Sequence, residues 1–206
     1  MLAADLTHIH GPTPNDFLLG ELDVHVAPYT DPTAERFVGR TEAEKTFSPS
    51  LEYADWYTGV PQVLYITAAN KAEYSMSFMF KQVGDVTLVG LAWNLEIDYA
   101  DPGADIAYFG SNPLALLECR WRFVTELYDG RYWQMVFRRA VIKNPEDFTT
   151  GGGEWASLPV TVVAMKDDTI CDEQRDIGFV CIEKLATPSG GFTDPCGEDI
   201  AACDPD

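Results

Sequence analysis

The chain has 206 residues and a formal net charge of −19. Hydrophobic residues make up 46% and aromatics 12%, which supplies a packed core and argues against global disorder. The acidic balance excludes a conventional nucleic-acid binder, which needs a cationic face to displace counterions, but not a protein that must keep nucleic acid from sticking.

Residues 1–16 are polar and contain proline, so they read as an arm or loop. Acid stands where a signal peptide has base. No run approaches the roughly 20 apolar residues that span a bilayer. The expectation is a soluble protein made in the cytoplasm, with no membrane partner. His8, His10 and His25 have no carboxylate or cysteine at a ligand spacing, so neither a metal nor a cofactor is expected.

Phe17 to Ala27 reads as a first strand, with Leu22, Val24 and Val26 on one face and Glu21, Asp23 and His25 on the other. The two carboxylates form the only candidate hydrolytic pair, but nothing nearby supplies a nucleophile or an oxyanion hole, and they read as solvated strand acids. Residues 28–62 read as a long polar–aromatic arm with two short strands, one ending at Phe37-Val38-Gly39 and one over Thr46 to Tyr53. Pro49 would confine the second to an edge. Connections this long are usually functional. Phe47, Tyr53, Trp56 and Tyr57 crowd the end of the arm, and aromatics are enriched in protein interfaces. They are the candidate inter-subunit residues.

Val63 to Gln82 alternates clearly. Ala72, Tyr74, Met76, Phe78 and Phe80 share the core face, and Lys71, Glu73, Ser75, Ser77 and Lys81 share the wet face. Asp85 would cap a short helix over Val86 to Trp93, where Val86, Val89 and Trp93 recur at helical spacing. Glu96 to Pro113 is an acidic loop without the alternation of a calcium loop.

Two further alternating runs come next, joined at Asp129-Gly130, a strong hairpin signal. Cys119, Trp121, Phe123 and Thr125 oppose Arg120, Arg122, Val124 and Glu126. Trp133, Met135 and Phe137 oppose Gln134, Val136 and Arg138. The triple glycine at 151–153 reads as a turn before a β-branched strand over Leu158 to Met165. From Lys166 onward three basic residues stand against eleven acidic ones. One apolar run there, Ile177 to Leu185, reads as a strand or docking segment, and the composition from Thr187 on predicts disorder.

Four of the five cysteines, Cys171, Cys181, Cys196 and Cys203, lie in that last segment. They allow two disulfides with three connectivities, and free thiols are the alternative. No pair has zinc-knuckle spacing. Phosphate-loop, nucleophile-elbow and zincin motifs are absent, so an enzyme is not expected.

The order of these parts resembles the major tail tube proteins of long-tailed bacteriophages. The matching parts are an early strand (GELDVHV), a long arm, an alternating strand (AEYSMSFMFKQV), a helix-like insert (DVTLVGLAW), a hairpin (CRWRFVTELYDGRYWQMVFRRAVI) and a closing strand (GGGEWASLPVTVVAMKDDT). The resemblance covers about Phe17 to Thr169. It implies a mainly β fold, an antiparallel β-sandwich or barrel-like domain over 1–168 with one short flanking helix near 85–93. An acidic, cysteine-containing extension over 169–206 departs from the family. The resemblance also implies rings of six copies stacked into a hollow tube within the virion tail. The tube would be assembled in the host cytoplasm beside terminator, tape measure and distal tail proteins, and double-stranded DNA would pass unbound through its largely acidic lumen into the host. On this reading Glu73, Ser75, Ser77, Lys81, Arg120, Arg122, Gln134 and Arg138 are candidates for the lumen wall. The arginines are expected to pair with acids of neighbouring strands or subunits. The alternative is a cysteine-stabilised binding module that grips glycan or protein through Trp56 and Tyr57.

Overall fold

The computed structural model describes residues 21–58, 63–80, 86–98, 106–108, 116–127, 130–143, 157–170 and 176–183. The strands are β1 (Asp23–Pro28), β2 (Arg36–Thr58), β3 (Val63–Phe80), β4 (Glu96–Asp98), β5 (Ile106–Tyr108), β6 (Cys119–Glu126), β7 (Tyr132–Ile142), β8 (Leu158–Met165) and β9 (Gly178–Glu183). Among the described residues, one helix, α1 (Val86–Trp93), and one 3₁₀ turn at Pro32–Ala34 complete the set.

β6, β1, β2, β3, β8 and β7 succeed one another around the sheet, and β7 pairs back onto β6. Six antiparallel strands therefore close a barrel, which removes most sheet edges. Of the two architectures the sequence allowed, the chain adopts the barrel. β7 splits its second edge between two strands. Its later half (Arg139–Ile142) pairs with β8, and its earlier half (Tyr132–Phe137) pairs with β9. The segment beyond the boundary expected at residue 168 thus contributes a strand to the same sheet.

The alternation of the β6–β7 hairpin sets the core. Trp121 pairs with Phe137, Phe123 with Met135 and Thr125 with Trp133, all facing inward. Leu22, Val24 and Val26 of β1, Met76, Phe78 and Phe80 of β3, and Leu158, Val160 and Val162 of β8 fill the rest. Phe78 meets Phe123 edge-on at 5.4 Å and 76°, a favoured aromatic geometry. Cys119 is a free thiol on this inward face, and burial pushes it up to about 11, so it stays protonated at neutral pH.

The turn between β6 and β7 closes where expected. Gly130 takes φ +78, the Leu127 N–H donates to the Arg131 carbonyl at 2.7 Å, and the Gly130 N–H donates to the Leu127 carbonyl at 3.0 Å. The helix also falls where its spacing predicts, with Leu88 and Ala92 in the barrel core. Its end is set by Asn94 at φ +54. The Asn94 N–H donates to Leu91 at 3.4 Å and the Leu95 N–H to Gly90 at 2.8 Å, the paired bonds of a Schellman stop. The expected cap, Asp85, lies outside the described residues.

The arm departs from expectation. Two short strands in a long loop were predicted, and one strand of 23 residues is found. Register shifts between Thr41 and Lys45, Glu52 and Tyr53, and Trp56 and Tyr57 interrupt its pairing with β3. At the first, β2 advances four residues against two of β3; at the other two the extra residue, Asn70 or Tyr65, lies on β3, and the ladder continues through all three. The acidic loop likewise carries a short pair, β4 with β5.

Thr41 locks the barrel entrance. It is fully buried, its Oγ1 accepts from the Leu22 N–H at 3.0 Å, and its own N–H donates to the Leu22 carbonyl at 3.0 Å. Thr41→Val keeps the shape but leaves the buried Leu22 N–H unpaired. Urea melts are expected to show a loss of about 1–3 kcal/mol, with Thr41→Ser recovering most of it.

Candidate assembly surface

β1 pairs with β2 only through Arg36–Arg40, and β8 pairs with β3 only through Ser75–Phe80. β2 and β3 nevertheless run on together to Thr58 and Val63. From Ser48 outward they form a two-stranded ribbon that leaves the barrel, roughly 35 Å long at about 3.3 Å per residue. Among the described residues both of its outer edges lack a partner strand.

The ribbon has two chemically distinct faces. Thr46, Ser48, Ser50 and Glu52 lie opposite Ser77, Ser75, Glu73 and Lys71, and Ser77 and Ser75 lie opposite Thr161 and Val163 of β8. This face is exposed or half-exposed. Its hydroxyls touch across strands, with Ser77 Oγ 2.8 Å from Thr161 Oγ1. Lys71 bridges Glu52 at 3.5 Å and Glu73 at 3.8 Å, exposed pairs of small energetic weight. The other face continues the barrel core into solvent through Phe47, Leu51, Ala72 and Tyr74, with Phe47 and Tyr74 stacked at 6.3 Å. Phe47, Tyr53, Trp56 and Tyr57, the four arm residues singled out from sequence, are 40%, 58%, 55% and 57% exposed. Under the ribbon base lies a cleft of about 360 Å³, walled by Phe47 and Tyr74 on one side and Phe137, Phe179 and Val180 on the other.

The lumen-wall candidates divide between two places. Glu73, Ser75 and Ser77 lie on the hydroxyl face, and Lys81 lies outside the described residues. Arg122, Gln134 and Arg138 are corrected: they are buried at 2%, 0% and 6% exposure, and the Arg120 side chain is largely covered. The outer face of β6–β7 is therefore a polar layer inside the chain. One reason is the strap between β1 and β2, which lies across it. Glu35 on that strap accepts from Arg122 Nε at 3.0 Å and from Arg122 Nη2, and His25 Nδ1 lies 3.1 Å from the same carboxylate. Arg122 Nη1 also donates to Gln134 Oε1 at 3.1 Å. Burial pushes the Glu35 carboxyl up, but hydrogen bonds from His25 and Arg122 outweigh it and hold the group below the usual carboxylate range.

A second knot ties the same strap to the turn after β8. The Tyr29 hydroxyl donates to Asp167 Oδ1 at 2.6 Å, and Thr169 donates to the same oxygen through its N–H and hydroxyl. Arg120 lies 3.8 Å from Asp167, and the guanidiniums of Arg120 and Arg139 lie over the Tyr29 ring. Arg139 grips Glu118 through two nitrogens at 2.9 and 2.8 Å. The expected pairing of arginines with acids is therefore met within the chain for Arg120 and Arg122. Sequence reasoning missed Glu35 and Asp167, which sit in turns far from their partners.

Of the other candidates, Asp23 is bound to Arg40 at 2.6 Å, and His25 to Glu35. No metal-binding group of three side chains occurs among the described residues. No described helix is long and apolar enough to cross a membrane. Cys181 is disulfide-bonded, while Cys171, Cys196 and Cys203 lie outside the described residues. No family model matches the chain, and no curated protein matches it.

Proposed function

We propose that the chain is a structural subunit of a phage-type tail tube. Six copies would close a ring, and rings would stack into a hollow tube that carries double-stranded DNA. The observation that supports this most is the ribbon. Two exposed strand edges and an apolar underside are a liability in a solitary protein, because they template pairing with another chain. A head-to-tail contact that hides them closes into a ring through one pair of faces and stacks through another. The flanking helix and the closed barrel agree with the resemblance.

The hydroxyl face of β2, β3 and β8 is the wall best suited to the bore. Between Thr46 and Glu52 on β2 and Lys71 and Ser77 on β3 its charges are two carboxylates and one amine. Duplex DNA carries roughly one charge per 1.7 Å, and a wall of hydroxyls with a slight negative excess lets it slide. Terminator, tape measure and distal tail proteins are the remaining partners on this reading, and the virion tail is its location.

Negative-stain microscopy of the purified chain tests the proposal. Rings or hollow filaments are the expected result, and a monodisperse monomer at high concentration would sink it. Exposed Trp56 and Tyr57 also suit the alternative binding module. A monomer that binds glycan through those two residues would put that reading in place of the tube.

A further inference from the structure

β8 and β9 lie end to end along one edge of β7. Val162–Met165 pairs with Arg139–Ile142, and Gly178–Glu183 carries the line on over Tyr132–Phe137. β3 lies beside β8 over Ser75–Phe80 only, and its earlier residues leave with β2 as the ribbon instead of running beside β9. The sheet is therefore split at this point, and the cleft under the ribbon base occupies the split. Ala72 and Tyr74 of β3 stand on one side of it, and Gly178 and Val180 of β9 on the other. Among the described residues neither bordering edge has a partner strand. The walls are apolar and partly open to solvent, with Phe47 40% and Val180 54% exposed. Two free edges over an apolar floor suit the addition of an extended strand, where main-chain bonds give affinity and side-chain pockets give specificity.

We propose that this cleft receives the ribbon tip of a second copy of the chain, with Trp56 and Tyr57 seated between β9 and the ribbon base. The inference rests on the reading that copies assemble, and it names the surface that accepts the ribbon. That surface includes β9, which lies in the extension where the chain departs from the tail tube resemblance. Three observations select this occupant. The tip is an extended strand carrying Tyr53, Trp56 and Tyr57, each more than half exposed. At about 3.3 Å per residue the ribbon holds that tip roughly 35 Å from its own cleft, so the tip reaches a cleft only on another copy. The area is also adequate. At roughly 150–250 Å² per aromatic side chain, the exposed parts of the three rings supply on the order of 250–400 Å². That is about half of the roughly 800 Å² each partner gives to a standard interface, before any main-chain pairing is counted. Tip and cleft are different patches of one chain, so the contact is head-to-tail and every copy both gives and receives one.

Sedimentation velocity on the full chain, with a cleft variant and a tip variant mixed, tests it. Val180→Lys places an amine in the cleft wall at a half-exposed position. Trp56→Ser with Tyr57→Ser removes the tip rings and leaves the cleft intact. Each variant alone is expected to need at least about 10-fold more protein than wild type to assemble, the scale of one lost interface anchor. An equimolar mixture should form dimers and stop there, because one intact tip meets one intact cleft. Ala72→Lys alters the opposite wall from an exposed position on the ribbon, and it should behave as Val180→Lys does. If Val180→Lys does not fold, Ala72→Lys takes its place in the mixture. Tubes formed by both cleft variants at the wild-type concentration would overturn the docking and leave the tube reading standing. A mixture that yields no dimer would also overturn it. Open chains of wild type in place of tubes, with the mixture still stopping at dimers, would keep the docking and remove the tube.

Discussion

Arg122→Ala is expected to cost about 3–5 kcal/mol of folding stability, the cost of stranding one member of a buried ion pair. Domains of this kind are stable by only about 5–15 kcal/mol, so the loss is a large fraction of the total. Arg122 and Glu35 have side chains only 2% and 6% exposed. Glu35 Oε2 already has no hydrogen-bond partner. Removing the guanidinium leaves its largely buried carboxylate with the bond from His25. Arg122→Met with Glu35→Leu should recover most of the loss, because an apolar pair of similar volume carries no desolvation penalty. Urea melts of the three proteins measure this. A single variant within about 1 kcal/mol of wild type would mean that the strap does not seat on β6–β7.

The same pair sets an acid limit. Glu35 is held below its ordinary value of 4.5, so the folded state binds its proton less readily than the unfolded chain does. Its stabilisation is complete above that ordinary value and is lost as pH falls through the lower folded value. Asp167 is also depressed from 3.8: burial pushes it up, but hydrogen bonds from Thr169 and Tyr29 outweigh that. Wild-type stability should therefore fall in acid, and the Met–Leu double variant should fall less steeply, with Asp167 supplying the slope that remains.

Arg122 also marks where the sequence stops being informative. Alternation along β6 and β7 names the inward set correctly, because the bond pattern of a strand forces side chains to opposite sides. It does not say whether the other side meets water or another part of the chain. Val124 and Val136 lie among the arginines of that face, and both are buried. That mixture of β-branched and charged residues was the available sign of a covered layer. The carboxylate that covers it, Glu35, is 87 residues away and sits beside a 3₁₀ turn without periodicity. The helix was legible from its spacing, and Asn94 is the stop signal that fixes its end. Strand β2 was not legible as one piece, because from Thr46 outward nearly every residue is exposed, so no buried face imposes an apolar alternation while the backbone ladder persists. The ribbon aromatics were legible for a simpler reason: large rings on a polar segment have no core to enter.

Trp56→Ser with Tyr57→Ser is expected to leave the folded subunit intact and to abolish assembly at wild-type concentrations. Both side chains are more than half exposed on a ribbon that the barrel does not cover, so each change should move monomer stability by no more than about 0.5 kcal/mol. Buried aromatic anchors at interfaces are worth about 2 kcal/mol or more each, roughly 30-fold in affinity. In a closed ring every subunit gives one such contact and receives one, so the losses accumulate around the ring. Sedimentation and microscopy over a concentration series should show wild-type rings or tubes where the double variant stays monomeric. Lys71→Gln on the hydroxyl face should assemble normally, because its exposed bridges to Glu52 and Glu73 add little. Tubes formed by the double variant at the wild-type threshold would remove Trp56 and Tyr57 from the interface. Unaltered circular dichroism and urea midpoints in the same sample would exclude misfolding as the cause of a failure to assemble, leaving the ribbon tip as the part that joins one copy to the next.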